Sequence, residues 1–329
     1  MVEPMTDFAT EIETHRRELR VHCYRMLGSF DEAEDLVQET LLRAWRGRST
    51  YEGRASVRAW LYRIATNACL DFLDAHPREL PVLDLPSTRD SDLTPRPAVA
   101  VPWLQPFPDS LLEPDAVVVA RETVELAFLA AIQHLSPRGR AALLLRDVLG
   151  WSARETAAAL GTTPASVNST VQRSRAALKE HLPARRTEWQ AGEASEAERA
   201  VVARYMTALV EHDEATFAEL LREDVRCSHA SGAGGHSGPE PTWYSGLSTV
   251  QKAWEPAFRG DYAAPFRVLP ISANGLPALA TYVRVDGVFR AFGINALRIS
   301  DGKVAEVITF STAAFPAFGL AETLPTLPS

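Results

Sequence analysis

The sequence predicts a multidomain chain: two all-α modules followed by a C-terminal α+β domain. Three observations predict it. Apolar residues recur at helical spacing in two stretches, 8–76 and 120–183. Between them lies a proline-dense segment that cannot hold regular structure. Beyond residue 196 the texture changes to strand-length apolar runs separated by Asn-Gly and Asp-Gly pairs. A length of 329 residues with 46% hydrophobic content fits two or three domains. The expected division is a helical module at 8–76, a proline-rich linker at 77–115, a second helical module at 120–183, a polar linker at 184–195 and an α+β domain at 196–320.

In the first module, 8–28 reads as one helix ended by Gly28. A second helix follows from Asp31, with Ala33, Leu36, Val37, Leu41 and Ala44 on its apolar stripe. Acid in its first turn and arginine in its last suit the helix dipole. A break at Gly47–Gly53 precedes a third helix, striped by Val57, Trp60, Leu61, Ile64, Ala68 and Phe72. From Leu41 to Leu70 six arginines face one glutamate.

Nine prolines fall between His76 and Pro114. Trp103, Leu104, Phe107, Leu111 and Leu112 in this linker are expected to pack against a neighbouring domain, since ordered loops bury their own apolar side chains. In the second module, Ser136-Pro137 opens one helix and the capping box Ser152…Glu155 opens another that ends at Gly161. Thr163 caps a third, with Pro164 at its first position. The last two helices and their Gly161 turn make a helix-turn-helix. Its second helix turns Ser166, Asn168, Ser169, Gln172 and Arg173 outward, the short polar and guanidinium groups that base edges and phosphates require.

Net charge is −8 overall, yet residues 121–186 carry ten bases against five acids, whereas eleven bases meet sixteen acids from Ala191 onward. Basic islands in an acidic chain fit a protein that meets DNA at defined patches. No apolar run is long enough to span a membrane, and the N-terminal stretch lacks the apolar core of a signal peptide, so a cytoplasmic location is expected. The three cysteines are too far apart in sequence for metal-ligand spacing. No metal and no cofactor are expected.

The run DEAEDLVQETLLRAW resembles the polymerase-binding helix of region 2 in extracytoplasmic-function (ECF) sigma factors, and YEGRASVRAWLYRIATNACLD resembles the segment with which that family melts and reads the promoter −10 element. The run from Leu135 to Leu178 resembles region 4, which binds the −35 element. The resemblance implies core RNA polymerase and both double-stranded and melted promoter DNA as partners, with an anti-sigma protein or small ligand left open. It implies polymerase contacts at Asp31, Glu34, Asp35, Leu36, Gln38 and Glu39. It places −10 contacts at Arg54, Arg58, Tyr62, Arg63 and Asn67, and −35 contacts at Arg154, Thr163, Ser166, Asn168, Ser169, Gln172 and Arg173. Many relatives continue past Asp71 with a basic cluster, where this chain has Leu73-Asp74-Ala75-His76, so no contact is implied there.

In the C-terminal domain, strands are expected at Phe266–Ile271, Leu279–Val285, Val288–Leu297 and Val304–Phe310. The pattern resembles a SnoaL-like (ketosteroid-isomerase-like) cone, a curved sheet around a pocket, which some ECF sigma factors carry as an extension. Trp243, Tyr244, Phe266, Tyr282 and Phe292 are candidate pocket residues. Asp224, His229, His236 and Asp286 are the titratable candidates an enzyme would need, but no constellation among them compels catalysis. A regulatory role is therefore expected. The alternatives are a small-molecule isomerase or hydrolase fused to a DNA-binding module, and a helix-turn-helix regulator that never touches polymerase.

Overall fold

The computed structural model describes residues 3–53, 55–80, 98–112, 125–182, 195–234, 241–259 and 264–325. Arg54, His236 and most of the two expected linkers lie outside the described residues. The chain divides into two compact units, Met1–Leu80 with Leu111–Glu188, and Pro81–Ser110 with Trp189–Ser329.

In the first unit, α1 (Glu3–Thr14) and α2 (Arg16–Leu27) replace the single helix expected over 8–28, the chain turning at His15. Gly28 then ends α2 at φ 74°, a left-handed conformation that glycine adopts without steric cost. Ser29 caps α3 (Phe30–Gly47) by accepting from Glu32 N, and Ser56 caps α4 (Val57–Ala75) by accepting from Ala59 N. The stripe Ala33, Leu36, Val37, Leu41 and Ala44 is buried, and α3 packs on α2 and α4.

The same unit continues with α5 (Leu126–Gln133) and α6 (Pro137–Leu143), which runs into a wider turn over Leu144–Val148. Next come α7 (Ala153–Leu160) and α8 (Pro164–His181). The capping box at Ser152 forms in both directions, and Thr163 accepts from Ser166 N at 3.2 Å. Gly161 turns the chain at φ 62°. Val167, Val171 and Ser174 face inward from α8.

In the second unit, α9 (Glu196–Glu211) and α10 (Glu214–Leu220) lead into β1 (Leu221–His229), β2 (Thr242–Ser245) and α11 (Leu247–Phe258). The strands β3 (Phe266–Ala273), β4 (Leu276–Val285), β5 (Val288–Ser300) and β6 (Lys303–Phe310) form an antiparallel meander. At all three of its turns the Asn-Gly or Asp-Gly pair takes positive φ at both residues, the conformation that matches strand twist. β1 joins β6 in parallel and β2 pairs with β1, giving the order β2-β1-β6-β5-β4-β3; a short β7 (Thr323–Leu324) pairs with β5. Tyr205, Leu209, Phe217, Leu220, Val250 and Phe258 from the helices bury against Leu279, Leu297, Val304 and Val307 of the sheet.

Residues 98–110 belong to this unit. Leu104 and Phe107 are buried. Phe107 N donates to Asn274 Oδ1 at 2.8 Å, Asn274 N donates to Phe107 O at 3.0 Å, and Gly275 N donates to Asp109 Oδ1 at 2.9 Å. The Asn274-Gly275 turn is thus also a socket for the segment that links the two helical modules.

Candidate nucleic-acid interface

On α3 the exposed positions Asp31, Asp35, Gln38 and Leu42 recur at helical spacing along one face. Glu34 is half-buried and pairs with Arg20, and Glu39 accepts from Arg43 Nε at 2.8 Å. Leu36, implied above as a polymerase contact, packs inward. It is 9% exposed and lies in the inward stripe, so its side chain is core. Leu42, which the sequence reading passed over, is 48% exposed. A second leucine beside Leu41 looks redundant in sequence; only the helix phase separates the inward from the outward one.

On α4, Arg58 is exposed and donates to Glu18 Oε2 at 2.7 Å, with its guanidinium 4.9 Å over the Tyr62 ring. Tyr62, implied above as a −10 contact, is 2% exposed. Its hydroxyl donates to the same Glu18 oxygen at 2.9 Å, and His22 stands edge-on to its ring at 5.0 Å. Burial pushes the Glu18 carboxyl pKa up, but Arg58, His15 and Tyr62 together outweigh it and hold the group below the ordinary carboxylate value. His22, fully buried with Nε2 at 2.9 Å from Thr66 Oγ1, is pushed down by desolvation to about 3 and stays neutral. Arg63 is exposed and Asn67 half-buried.

Across the helix-turn-helix, Arg154, Thr163, Ser166, Asn168, Ser169, Gln172 and Arg173 are all exposed. Gly139 permits a close approach of α6 to α8, since a Cβ there would meet Ser174 Oγ at 2.8 Å. Arg175 is held by Asp147 through two bonds of 2.8 and 2.6 Å, whereas among the described residues the Arg173 guanidinium reaches only Thr170 Oγ1 of its own helix, at 3.3 Å.

In the second unit the five candidate pocket aromatics fall in different surroundings. Tyr244 packs on the helix-covered core, while Trp243, its neighbour on an extended strand, points the other way. Tyr282 lies edge-on to Phe315 at 5.3 Å and donates to Ala321 O. Phe266 and Phe292 meet at 6.0 Å beside His212. The sequence reading missed a buried relay in which Thr309 donates to Asn295 Oδ1 at 2.8 Å and Asn295 Nδ2 donates to Thr281 Oγ1 at 2.9 Å. His229 is buried close by, since a Cβ on Gly234 would touch both it and Thr309. The relay holds no carboxylate. Asp224 is exposed and bound to Arg222 at 2.7 Å, and Asp286 sits in a turn at φ 50°. Among the described residues no cluster of three or more potential metal ligands forms, and no helix is long and apolar enough to cross a membrane.

Comparison with known proteins matches residues 12–79 to Sigma-70 region 2, residues 125–178 to Sigma-70 region 4 and residues 202–307 to a SnoaL-like domain. The chain is 40% identical to the ECF RNA polymerase sigma factor SigG of Mycobacterium tuberculosis over 97% of its length and 85% of that protein's. It is 32% identical to SigJ of the same organism, covering 90% of this chain and 88% of SigJ. The crystal structure of SigJ superposes with a TM-score of 0.56 at 25% identity, covering 94% of this chain and 98% of that one. Two helical modules in this order, an exposed recognition helix and full-length similarity agree: the chain belongs to the ECF RNA polymerase sigma factor family and carries a SnoaL-like domain at its C-terminal end.

Proposed function

We propose that the chain binds core RNA polymerase and directs transcription initiation at a set of promoters. The exposed α3 face of Asp31, Asp35, Gln38 and Leu42, flanked by Glu34 and Glu39, docks on polymerase. Arg58, Arg63 and Asn67, together with Arg54, meet the melted −10 element. The α8 face of Ser166, Asn168, Ser169, Gln172 and Arg173, with Thr163 and Arg154 at the turn, reads −35. The observation that carries this reading is the array of small polar side chains on a twice-capped helix-turn-helix, in a chain of sigma-factor ancestry.

The C-terminal domain regulates and does not catalyse, and the protein acts in the cytoplasm. Two observations support regulation: the Asn274-Gly275 socket holds part of the segment between regions 2 and 4, and the buried relay lacks the carboxylate base that isomerase chemistry of this fold uses. In vitro transcription with core polymerase, comparing the full chain with fragment 1–190, tests both parts. Promoter-specific transcripts that change in yield on removal of 196–329 are expected. No transcript from either form contradicts the sigma reading. Equal yield from both forms, with turnover of a small molecule by the C-terminal fragment, contradicts regulation.

A further inference from the structure

The N-terminal helix is tied twice to the surface proposed to read the −10 element. The chain turns at His15, and α1 lies against α3 and α4 instead of continuing as one helix with α2. Phe8 of α1 sets its ring between two tryptophans, 6.5 Å from the Trp45 ring of α3 and 6.3 Å from the Trp60 ring of α4. Both separations lie in the range over which aromatic pairs attract. Ile12, one turn further along α1, is buried. The second tie is at the turn itself. One Glu18 oxygen pairs with His15 Nδ1, while the other accepts from Arg58 Nε at 2.7 Å and from the Tyr62 hydroxyl at 2.9 Å. A single carboxylate thus joins the α1–α2 turn to two side chains of α4.

The two rings that flank Phe8 are also the two on which the loop between α3 and α4 stands. Arg48, at its start, lies 4.3 Å over the Trp45 ring and donates to Trp45 O at 2.7 Å. Tyr51 packs on Trp60 at 5.1 Å, and its hydroxyl donates to Ala55 O, drawing the two sides of the loop together. Tyr51, Trp60 and Arg63 share one wall of a cleft of about 320 Å³. Packed rings hold one another in place by contact on every side. A smaller group at position 8 would let Trp60 tilt into the vacated space, and Tyr51 would follow it.

We propose that Phe8 is a positioning residue for −10 recognition: through Trp45 and Trp60, α1 sets where the loop 48–56 and Arg63 stand, and so how sharply the −10 bases are discriminated. The proposal rests on the sigma-factor reading and adds to it an element outside the DNA-contacting faces. In vitro transcription by core polymerase with the full chain tests it, on a promoter that the chain transcribes and on single-base variants of its −10 and −35 elements. Phe8→Leu keeps apolar bulk and removes the ring. It is expected to lower the preference for the cognate base at one or more −10 positions by about tenfold, within what one base contact supplies, and to leave −35 preferences unchanged. Phe8→Tyr, which keeps the ring, should discriminate as the wild type does. Ile12→Ala is the structural control, since it removes buried bulk from the same helix without touching the ring stack. It should lower the melting temperature at least as far as Phe8→Leu and leave −10 preference intact. Unchanged −10 preference in Phe8→Leu overturns the proposal, as does an equal loss at −10 and −35, or the same −10 loss in Ile12→Ala. No transcript from the wild type overturns the sigma-factor reading and the proposal with it.

Discussion

The helices α8 and α4, both proposed to read promoter DNA, present their side chains in opposite ways. On α8 all five outward residues from Ser166 to Arg173 are exposed, and among the described residues the guanidinium of Arg173 is bound only within its own helix. On α4 the ring of Tyr62 is buried, Arg58 is tied to Glu18, and Arg63 opens into a cleft roofed by α7. The difference follows from what each would read. Base edges in an intact groove are met by small polar groups that water solvates well. A melted strand is met by aromatic and planar groups, which cost free energy when exposed and are better held against protein until the strand exists.

Truncation sets the two faces apart most sharply. Tyr62→Ala should lower the unfolding free energy of the first unit by about 3–5 kcal/mol, the usual cost of removing a buried aromatic, while Gln172→Ala should change it by less than about 0.5 kcal/mol. Chemical denaturation checks both; equal effects would erase the distinction. The same logic divides α3. Leu36→Ala should cost about 2–5 kcal/mol of stability. Leu42→Ser should leave stability nearly unchanged and weaken co-purification with core polymerase, and full binding by that variant would remove Leu42 from the interface.

Arg173→Ala should weaken binding to the −35 duplex by about 1–3 kcal/mol if the guanidinium contacts a base. A loss that is uniform over sequences, with a shallower salt slope, would reassign the residue to phosphate. The smallest effect concerns Glu18. Its folded-state pKa lies below its unfolded value, so its contribution is present above about pH 4.5 and is lost as pH falls through the folded pKa. Glu18→Gln should remove that dependence, at a cost of about 1 kcal/mol near neutral pH for a partly screened group. Parallel pH–stability curves for wild type and variant would exclude the ion pair as its source.

Much of this was legible in the sequence because some local signals admit few conformations. The Asn-Gly and Asp-Gly pairs specify positive φ, and the Ser152 and Thr163 caps specify helix starts. The exposed face of α8 followed from phase alone. Tyr62 did not, because it sits at the margin of the α4 stripe and its burial depends on Glu18, His22 and Trp151, brought in by other helices. Phe8 was hidden for a similar reason: its partners Trp45 and Trp60 come from other helices, and the turn at His15 that brings it to them is marked by no glycine or proline. Strand β1 was missed because Arg222, Glu223 and Asp224 interrupt its apolar alternation where its pairing with β6 shifts register.

The central claim is that −35 reading is available in the free chain whereas −10 reading is withheld. It is tested most directly by fluorescence anisotropy on a promoter that the chain transcribes in vitro. The −35 duplex and the −10 non-template strand are titrated separately, each with and without core polymerase. The account predicts that the free chain binds the duplex but not the single strand, and that core polymerase confers single-strand binding. Single-strand binding by the free chain as tight as in the polymerase complex would contradict it.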